Sequence, residues 1–88
     1  MKMIICILQT SDRDIVAEAL NKAGHQVTIL PSTGAYFRRG NATMIAGVED
    51  DKVETALQII RDTVKDPDDP GQKRATLFVM KVDQFHQV

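Results

Sequence analysis

The chain has 88 residues, of which 43% are hydrophobic and 26% charged, and its formal net charge is -1 at pH 7. A chain of this length and composition is expected to form one globular domain over residues 1–88, because it is too apolar to stay disordered. The balanced charge, without a basic block, argues against nucleic-acid binding and against attachment to a membrane surface.

The first thirty residues predict a strand, a helix and a second strand. Residues 2–9, KMIICILQ, are apolar at successive positions, which is typical of a strand covered on both faces. Ser11 is predicted to cap a helix over residues 12–23 that stops at Gly24. Residues 25–30 alternate between apolar and polar and predict a half-exposed edge strand. The apolar stripe of the helix comprises Ile15, Val16, Ala19, Leu20 and Ala23.

The rest of the chain predicts two more strands around a second helix. Residues 43–49, TMIAGVE, are again apolar on both faces, and Gly47 suggests a bulge or a close approach to the backbone. A helix capped by Asp50 or Asp51 follows. Its apolar stripe comprises Val53, Ala56, Leu57, Ile60 and Val64. Beyond it we predict a polar loop at 65–73, a strand at 75–82 and a tail at 83–88.

The predicted order βαββαβ indicates an α+β, ferredoxin-like fold. Two right-handed crossovers place both helices on one face of a four-stranded antiparallel sheet, with the first and third strands central. In a single chain the second face of the sheet would remain exposed to water, although burial stabilises each large apolar side chain by roughly 1.5–3 kcal/mol. We therefore expect a homo-oligomer, most simply a closed ring, with binding clefts between subunits.

The segment from Pro31 to Gly47, PSTGAYFRRGNATMIAG, contains residue types suited to a nucleotide. Tyr36 and Phe37 offer flat rings on which a base can stack. The two adjacent arginines that begin at Arg38 carry permanent charge and forked donors that suit phosphate. The side-chain amide of Asn41 offers a donor and an acceptor to the edge of a purine.

Three stretches together carry a resemblance to a known family. They are the Thr28-containing strand, STGAYFRRGNATMIAGVEDDKV at residues 32–53, and ATLFVMKVDQFHQV at residues 75–88. The chain resembles the PII-like cyclic-di-AMP receptors, a family of bacterial signalling proteins, over nearly its whole length. The resemblance implies a homotrimer with three identical sites for cyclic-di-AMP at subunit interfaces. The lone cysteine and the lack of a membrane-length apolar run favour a cytoplasmic setting. We expect no cofactor, and the sequence leaves room for an unidentified protein target.

The same resemblance implies which residues form the site. Thr28, Asn41 and the backbone at Gly47 are expected to read an adenine. The remaining expected pocket residues are Ala35, Tyr36, Phe37, Arg38, Phe78 and Gln87.

The chain departs from the family pattern at Ala35, where the family usually has glycine, and at two further places that bear more on function. Gln26 stands where the family usually has an arginine expected near phosphate, and residues 65–73 replace a much longer loop. Glutamine keeps hydrogen bonding but loses its charge-assisted part. These departures favour an alternative function, that of a PII-like interaction or scaffold protein that has lost or changed nucleotide binding, with ATP, ADP or no ligand.

Other function classes find less support in the sequence. The sequence shows no set of nucleophile, base and orienting group, so we expect that the protein is not an enzyme. An acylphosphatase-like hydrolase would need a glycine-rich anion loop after the first strand, but residues 9–14, QTSDRD, contain no glycine. The apolar central strands lack the exposed aromatic and basic residues of an RNA-recognition module. Cys6 is the lone cysteine, which excludes an intramolecular disulfide and a CxxC metal site and predicts a buried small side chain.

Overall fold

The structure of the chain, a computed structural model, describes residues 1–30, 41–65 and 74–88. None of the helices in these ranges is long and apolar enough to cross a membrane. In chain order the elements are β1 (Lys2–Gln9), α1 (Thr10–Lys22), β2 (Gln26–Leu30), β3 (Asn41–Val48), a 3-10 turn (Asp50–Lys52), α2 (Val53–Thr63) and β4 (Ala75–Lys81). The predicted pocket residues Ala35, Tyr36, Phe37 and Arg38 lie outside the described residues, as does most of the predicted loop at 65–73.

The four strands form one antiparallel sheet in the order β2-β3-β1-β4. β1 and β3 are central, and β2 and β4 are the edge strands. This arrangement confirms the ferredoxin-like fold and the predicted strand order. The register pairs Ile5 of β1 with Ile45 of β3 and with Phe78 of β4, so side chains from three strands stand in one row.

The hydrophobic core lies between the two helices and one face of the sheet. Every second residue of β1 and β3 contributes to it, as the period of two in a strand requires. The buried core residues are Ile4, Cys6 and Leu8 of β1; Ala42, Met44 and Val48 of β3; Val16, Ala17 and Leu20 of α1; and Ala56, Leu57, Ile60 and Val64 of α2 and its C-terminus.

The start of α1 differs from the prediction. The helix begins at Thr10 with Gln9 as the N-cap residue, and no side chain caps it. The prediction of Ser11 as the cap was wrong because β1 runs into α1 without a connecting loop, which places Ser11 inside the first turn. The buried polar residue there is Asp12, whose Oδ2 accepts a hydrogen bond from the Lys65 backbone N–H at 3.4 Å. This contact joins the start of α1 to the end of α2.

The buried stripe of α1 is also rotated from the predicted one. Val16 and Leu20 are buried as expected, but Ile15 is 46% exposed and Ala17 is buried in its place. The buried side of α1 is thus the one that carries Val16, Ala17 and Leu20, and the helix packs against both α2 and the sheet. In α2 the predicted stripe is confirmed, with Val53 half-buried and its other members buried.

The C-terminus of α1 is closed by a Schellman motif. Gly24 has a φ of +92°, a conformation that disfavours residues with a Cβ. The Gly24 N–H donates to the Asn21 carbonyl and the His25 N–H donates to the Leu20 carbonyl, each at 3.0 Å. The predicted stop at Gly24 is thus confirmed, and the motif turns the chain directly into β2.

β3 begins two residues earlier than predicted, at Asn41. The cause is pairing, because Asn41 lies opposite Gln9 and Ala42 opposite Leu8 in the ladder with β1. Gly47 pairs with Met3 on one side and with Gln26 on the other in an unbroken register, so the suggested bulge is absent from this strand. Asn41 is therefore held by the sheet, at the opposite end of β3 from Gly47.

Candidate functional site

The sheet face turned away from the helices, which we call the open face, carries most of the described site residues. Its members alternate along each strand with the residues of the helix-covered face. They are Met3, Ile5, Ile7 and Gln9 of β1; Asn41, Thr43, Ile45 and Gly47 of β3; Gln26, Thr28 and Leu30 of β2; and Thr76, Phe78 and Met80 of β4. The open face is apolar at its centre and polar towards both ends.

A cavity of about 460 Å³ opens at one end of the open face. The sheet supplies its floor through Ile45 and Gly47, and β2 supplies one wall through Gln26 and Thr28. The opposite wall comes from the C-terminal tail. The complete lining is Met1, Met3, Gln26, Thr28, Ile45, Gly47, Val82, Gln84, Phe85 and Gln87. This volume falls in the range of small-molecule and cofactor sites.

Three predicted site residues, Thr28, Gly47 and Gln87, meet in this cavity. Thr28 is on an edge strand and exposed, so its hydroxyl is accessible from the cavity. Gln87 is brought in by the tail, whose first residue is tied down by a hydrogen bond from the Val82 N–H to the Met1 carbonyl at 3.1 Å. The fold thus brings together three of the predicted residues that are far apart along the chain.

Gly47 leaves the cavity floor open. It is exposed, and a Cβ added there would have the Met1 sulfur as its nearest described neighbour, at 3.9 Å. That distance is ordinary van der Waals contact. The absence of a side chain at Gly47 is therefore not required by packing within the described chain, and it keeps the backbone accessible to a molecule in the cavity.

Phe78 lies on the open face but outside the cavity. Its side chain is 52% exposed in the single chain. It shares a cross-strand row with Thr28, Ile45 and Ile5, three strand spacings from Thr28. At about 4.8 Å per spacing this separation is roughly 14 Å. Phe78 therefore stands on the part of the open face that no described element of the chain covers.

Asn41 is, of the predicted residues that the structure describes, the farthest from the cavity. It lies six residues before Gly47 on the same strand, which at about 3.3 Å per residue is roughly 20 Å. Asn41 is half-buried and faces Gln9 across the ladder. One chain thus does not bring Asn41, Thr28 and Gly47 to a single base.

Among the described residues, the cavity lining carries amide, hydroxyl, thioether and apolar side chains and no charged one. Near its mouth, the amino group of Met1 lies 3.0 Å from Asp50 Oδ1. This hydrogen bond lowers the pKa of the Asp50 carboxyl, and Lys2 and Lys81 lower it further. The lining is therefore suited to a neutral hydrogen-bonding surface such as a base, and phosphate groups would need cations from elsewhere.

Several lining residues were not predicted from the sequence. Met3 and Ile45 had a detectable signal, since both belong to the second apolar face that the strand pattern indicated. Gln84 and Phe85 had none beyond their position in the tail. Phe85 is 62% exposed at the cavity wall, and its ring is available for contact with a bound molecule.

Residues 1–30, 41–65 and 74–88 contain no group of three or more His, Cys, Asp or Glu side chains that could hold a metal ion. Cys6 is buried on the helix-covered face, as predicted, and burial raises the pKa of its thiol to about 11. A neutral, enclosed thiol of this kind is neither a nucleophile nor a metal ligand.

Comparison with known proteins bears on the identity of this fold and cavity. A family model described as cyclic-di-AMP receptor matches residues 1–70, a range that includes Thr28, Asn41 and Gly47 and ends before β4. The chain is also similar to a solved structure, described as a functionally unknown protein from Pediococcus pentosaceus ATCC 25745. The two share 27% sequence identity and a TM-score of 0.77, over 99% of this chain and 96% of that one.

Proposed function

The chain belongs to the cyclic-di-AMP receptor family, and we propose that it is a PII-like, cytoplasmic bacterial signalling protein that binds cyclic-di-AMP between subunits of a homotrimer. The family match covers residues 1–70. Binding of cyclic-di-AMP by this chain, the location of the site between subunits and the residues that form it are proposed here. The observation that carries it is the cavity in which Thr28, Gly47 and Gln87 meet.

The cavity is suited to one base of the dinucleotide. Thr28 and Gln87 offer hydrogen bonds to the edge of the ring, and Gly47, whose backbone is paired within the sheet, offers a floor without a side chain against which the ring can lie. Ile45 and Met3 below, and Phe85 in the tail wall, give apolar surface for its faces. A purine fits these polar and apolar groups better than a charged phosphate does.

The distance between Asn41 and Gly47 supports a site built from two chains. Both residues are expected to contact the same adenine, yet roughly 20 Å of β3 separates them in one chain. A base cannot span that distance. If one subunit contributes Gly47 and Thr28 and its neighbour contributes Asn41, the expectation and the geometry agree.

The open face gives the physical reason for such a neighbour. Phe78, Met80 and Phe85 are all exposed large side chains on β4 or the tail, at the edge of the apolar centre of this face. In an isolated chain they would form an apolar patch of a kind that soluble monomers rarely expose. Burying it against identical chains in a closed ring produces repeated clefts at the sheet edges.

The cations for the phosphates are proposed to come from the predicted loop, where Arg38 follows Tyr36 and Phe37. A cyclic dinucleotide carries two phosphates, and the lining residues that the structure describes include no charged side chain. Arginine at the loop would supply forked donors to a phosphate. This division places base recognition on the sheet and tail and phosphate recognition on the loop.

A second candidate function is favoured by one observation, the presence of the uncharged Gln26 in the cavity wall. If the positive charge expected at that position is required for the dinucleotide, the protein would instead be a PII-like scaffold with no nucleotide or with ATP or ADP. Isothermal titration of the purified chain with cyclic-di-AMP, ATP and ADP separates the two. We expect heat from cyclic-di-AMP and weaker or no heat from the others, and no heat from any of them would favour the scaffold.

Mixing two variants tests the two-chain site. Thr28→Val removes a hydroxyl from the cavity wall, and Asn41→Ala removes the distant amide, so each variant alone should bind weakly. When the two are unfolded together and refolded, roughly a quarter of the interfaces in a head-to-tail ring combine an intact Thr28 with an intact Asn41. Recovery of that fraction of tight sites supports the proposal, and no recovery would place both residues in a site within one chain.

A further inference from the structure

We infer that Gln9 and Thr43 are additional base-recognition residues that act together with Asn41 at the polar end of the open face, away from the cavity. This inference rests on the proposed function, because the base in question is an adenine of the cyclic dinucleotide. It extends the Asn41 side of the site from one side chain to three.

The strand register places the three side chains together. Gln9 is the direct partner of Asn41 in the β1–β3 ladder, and Thr43 is the partner of Ile7 one row further along the same face. Directly opposed side chains are close neighbours, and diagonal ones remain within reach of a long side chain such as glutamine. Two amides and a hydroxyl therefore share one patch on the two central strands.

Two polar atoms of this patch are buried without a hydrogen-bond partner among the described residues. Gln9 Nε2 and Thr43 Oγ1 are enclosed and have no hydrogen-bond partner among the described residues, and Thr43 as a whole is only 5% exposed. Gln9 is the N-cap residue of α1, but its side chain makes no capping bond. A buried donor that stays unpaired carries the full penalty of losing its water. The fold gains nothing from these groups within the described chain.

The chemistry of the patch fits the edge of an adenine. The N–H of a side-chain amide can donate to a ring nitrogen of adenine while the amide oxygen accepts from the adjacent amino group. This is the pairing that Asn and Gln make with adenine. Gln9 and Asn41 present two such amides side by side, and the Thr43 hydroxyl can donate or accept. A bound base would give hydrogen-bond partners to the two buried atoms that have none among the described residues.

The inference predicts opposite effects on folding and on binding. Gln9→Met and Thr43→Val each keep the side-chain volume and remove the buried polar atom. Urea denaturation of the ligand-free protein should show stability that is unchanged or higher, because the unpaired group has gone. Titration with cyclic-di-AMP should show affinity lowered by about fivefold or more for each variant.

Two matched variants control for the substitutions themselves. Thr76→Val makes the same change at an exposed threonine of β4, in the row of Thr43. Gln58→Met makes the same change on the exposed surface of α2, where Gln58 donates to Asp62 at 2.8 Å. Both controls should bind cyclic-di-AMP as the unaltered protein does.

The outcomes separate this inference from the proposed function. If the unaltered protein gives no heat with cyclic-di-AMP, the proposed function fails and the inference fails with it. If the unaltered protein binds and Gln9→Met and Thr43→Val bind equally well, only the inference is overturned. A loss of folding stability in either variant would also overturn it, since the polar group would then have a structural partner.

Discussion

Cys6 lies on the helix-covered face of β1, between Ile4 and Leu8, and illustrates how burial sets the behaviour of one residue. Its side chain is enclosed and its pKa is raised to about 11 because burial disfavours the charged thiolate. The sequence predicted this environment from the surrounding apolar residues, and the structure confirms it. Since the thiolate is the reactive form, alkylation of Cys6 should be slow in the folded protein and fast in denaturant.

The raised pKa of Cys6 predicts a dependence of stability on alkaline pH. The unfolded chain releases the thiol proton near its ordinary value of 9.0, and the folded chain does so only near about 11. The stabilising contribution is therefore complete below pH 9 and is lost as the pH rises through that window. Denaturant midpoints measured from pH 8 to 11 should fall for the unaltered protein more steeply than for Cys6→Val. Parallel curves for the two proteins would contradict the assignment.

At the scale of elements, two glycines have different roles. Gly24 closes α1 in a left-handed conformation, with φ at +92°, whereas Gly47 lies in an ordinary strand beside the cavity. Glycine at position 24 is therefore required by the backbone conformation, whereas no described contact requires glycine at position 47. Substituting alanine at each position tests this difference.

Gly24→Ala should lower the free energy of unfolding by about 1 kcal/mol, because a Cβ is strained in the left-handed region. Urea denaturation measures the change, and Asn21→Ala, on the exposed side of the same helix, is the control. Affinity for cyclic-di-AMP should not change, since Gly24 is not itself among the lining residues of the cavity. An unchanged denaturation midpoint would mean that the Schellman motif does not require glycine.

Gly47→Ala should have the reverse effect. The new Cβ meets only the Met1 sulfur at 3.9 Å among described atoms, so the fold should keep or slightly raise its stability. The methyl group occupies the cavity floor, so the affinity for cyclic-di-AMP should fall, as measured by titration calorimetry. Full affinity in this variant would remove the Gly47 backbone from the proposed site.

The elements of this fold could be predicted from local patterns more reliably than their ends. The apolar run of β1, the stripe of α2 and the stop at Gly24 are properties of neighbouring residues, and all three were confirmed. The start of β3 at Asn41 depends on pairing with Gln9, and the exposure of Ile15 depends on how α1 meets α2. Neither partner is visible in a local window, so these features could not be predicted.

The site was predictable in part for the same reason. Thr28, Gly47 and Gln87 were named from the family resemblance, and the fold brings them to one cavity. The participation of Phe85 and the buried, unpaired state of Gln9 depend on how the tail and β1 pack, which no sequence motif describes. The predicted contribution of Phe78 stays a prediction, because it requires a second chain on the open face.

At the scale of the whole molecule, the two faces of the sheet differ in how they are covered. One face is sealed by α1 and α2, and the other ends in exposed large side chains such as Phe78 and Met80. Self-association would bury the second face, and the same step would bring the Gly47 end of one chain to the Asn41 end of another. In this account the assembly that stabilises the fold also creates the site.

Native mass spectrometry with and without cyclic-di-AMP tests this account most directly, because it reads the number of chains and the number of bound ligands in one spectrum. We predict an assembly of three chains without ligand and the same assembly carrying up to three cyclic-di-AMP molecules when the ligand is added. A spectrum of stable single chains, or of trimers that never gain the mass of the dinucleotide, would contradict it.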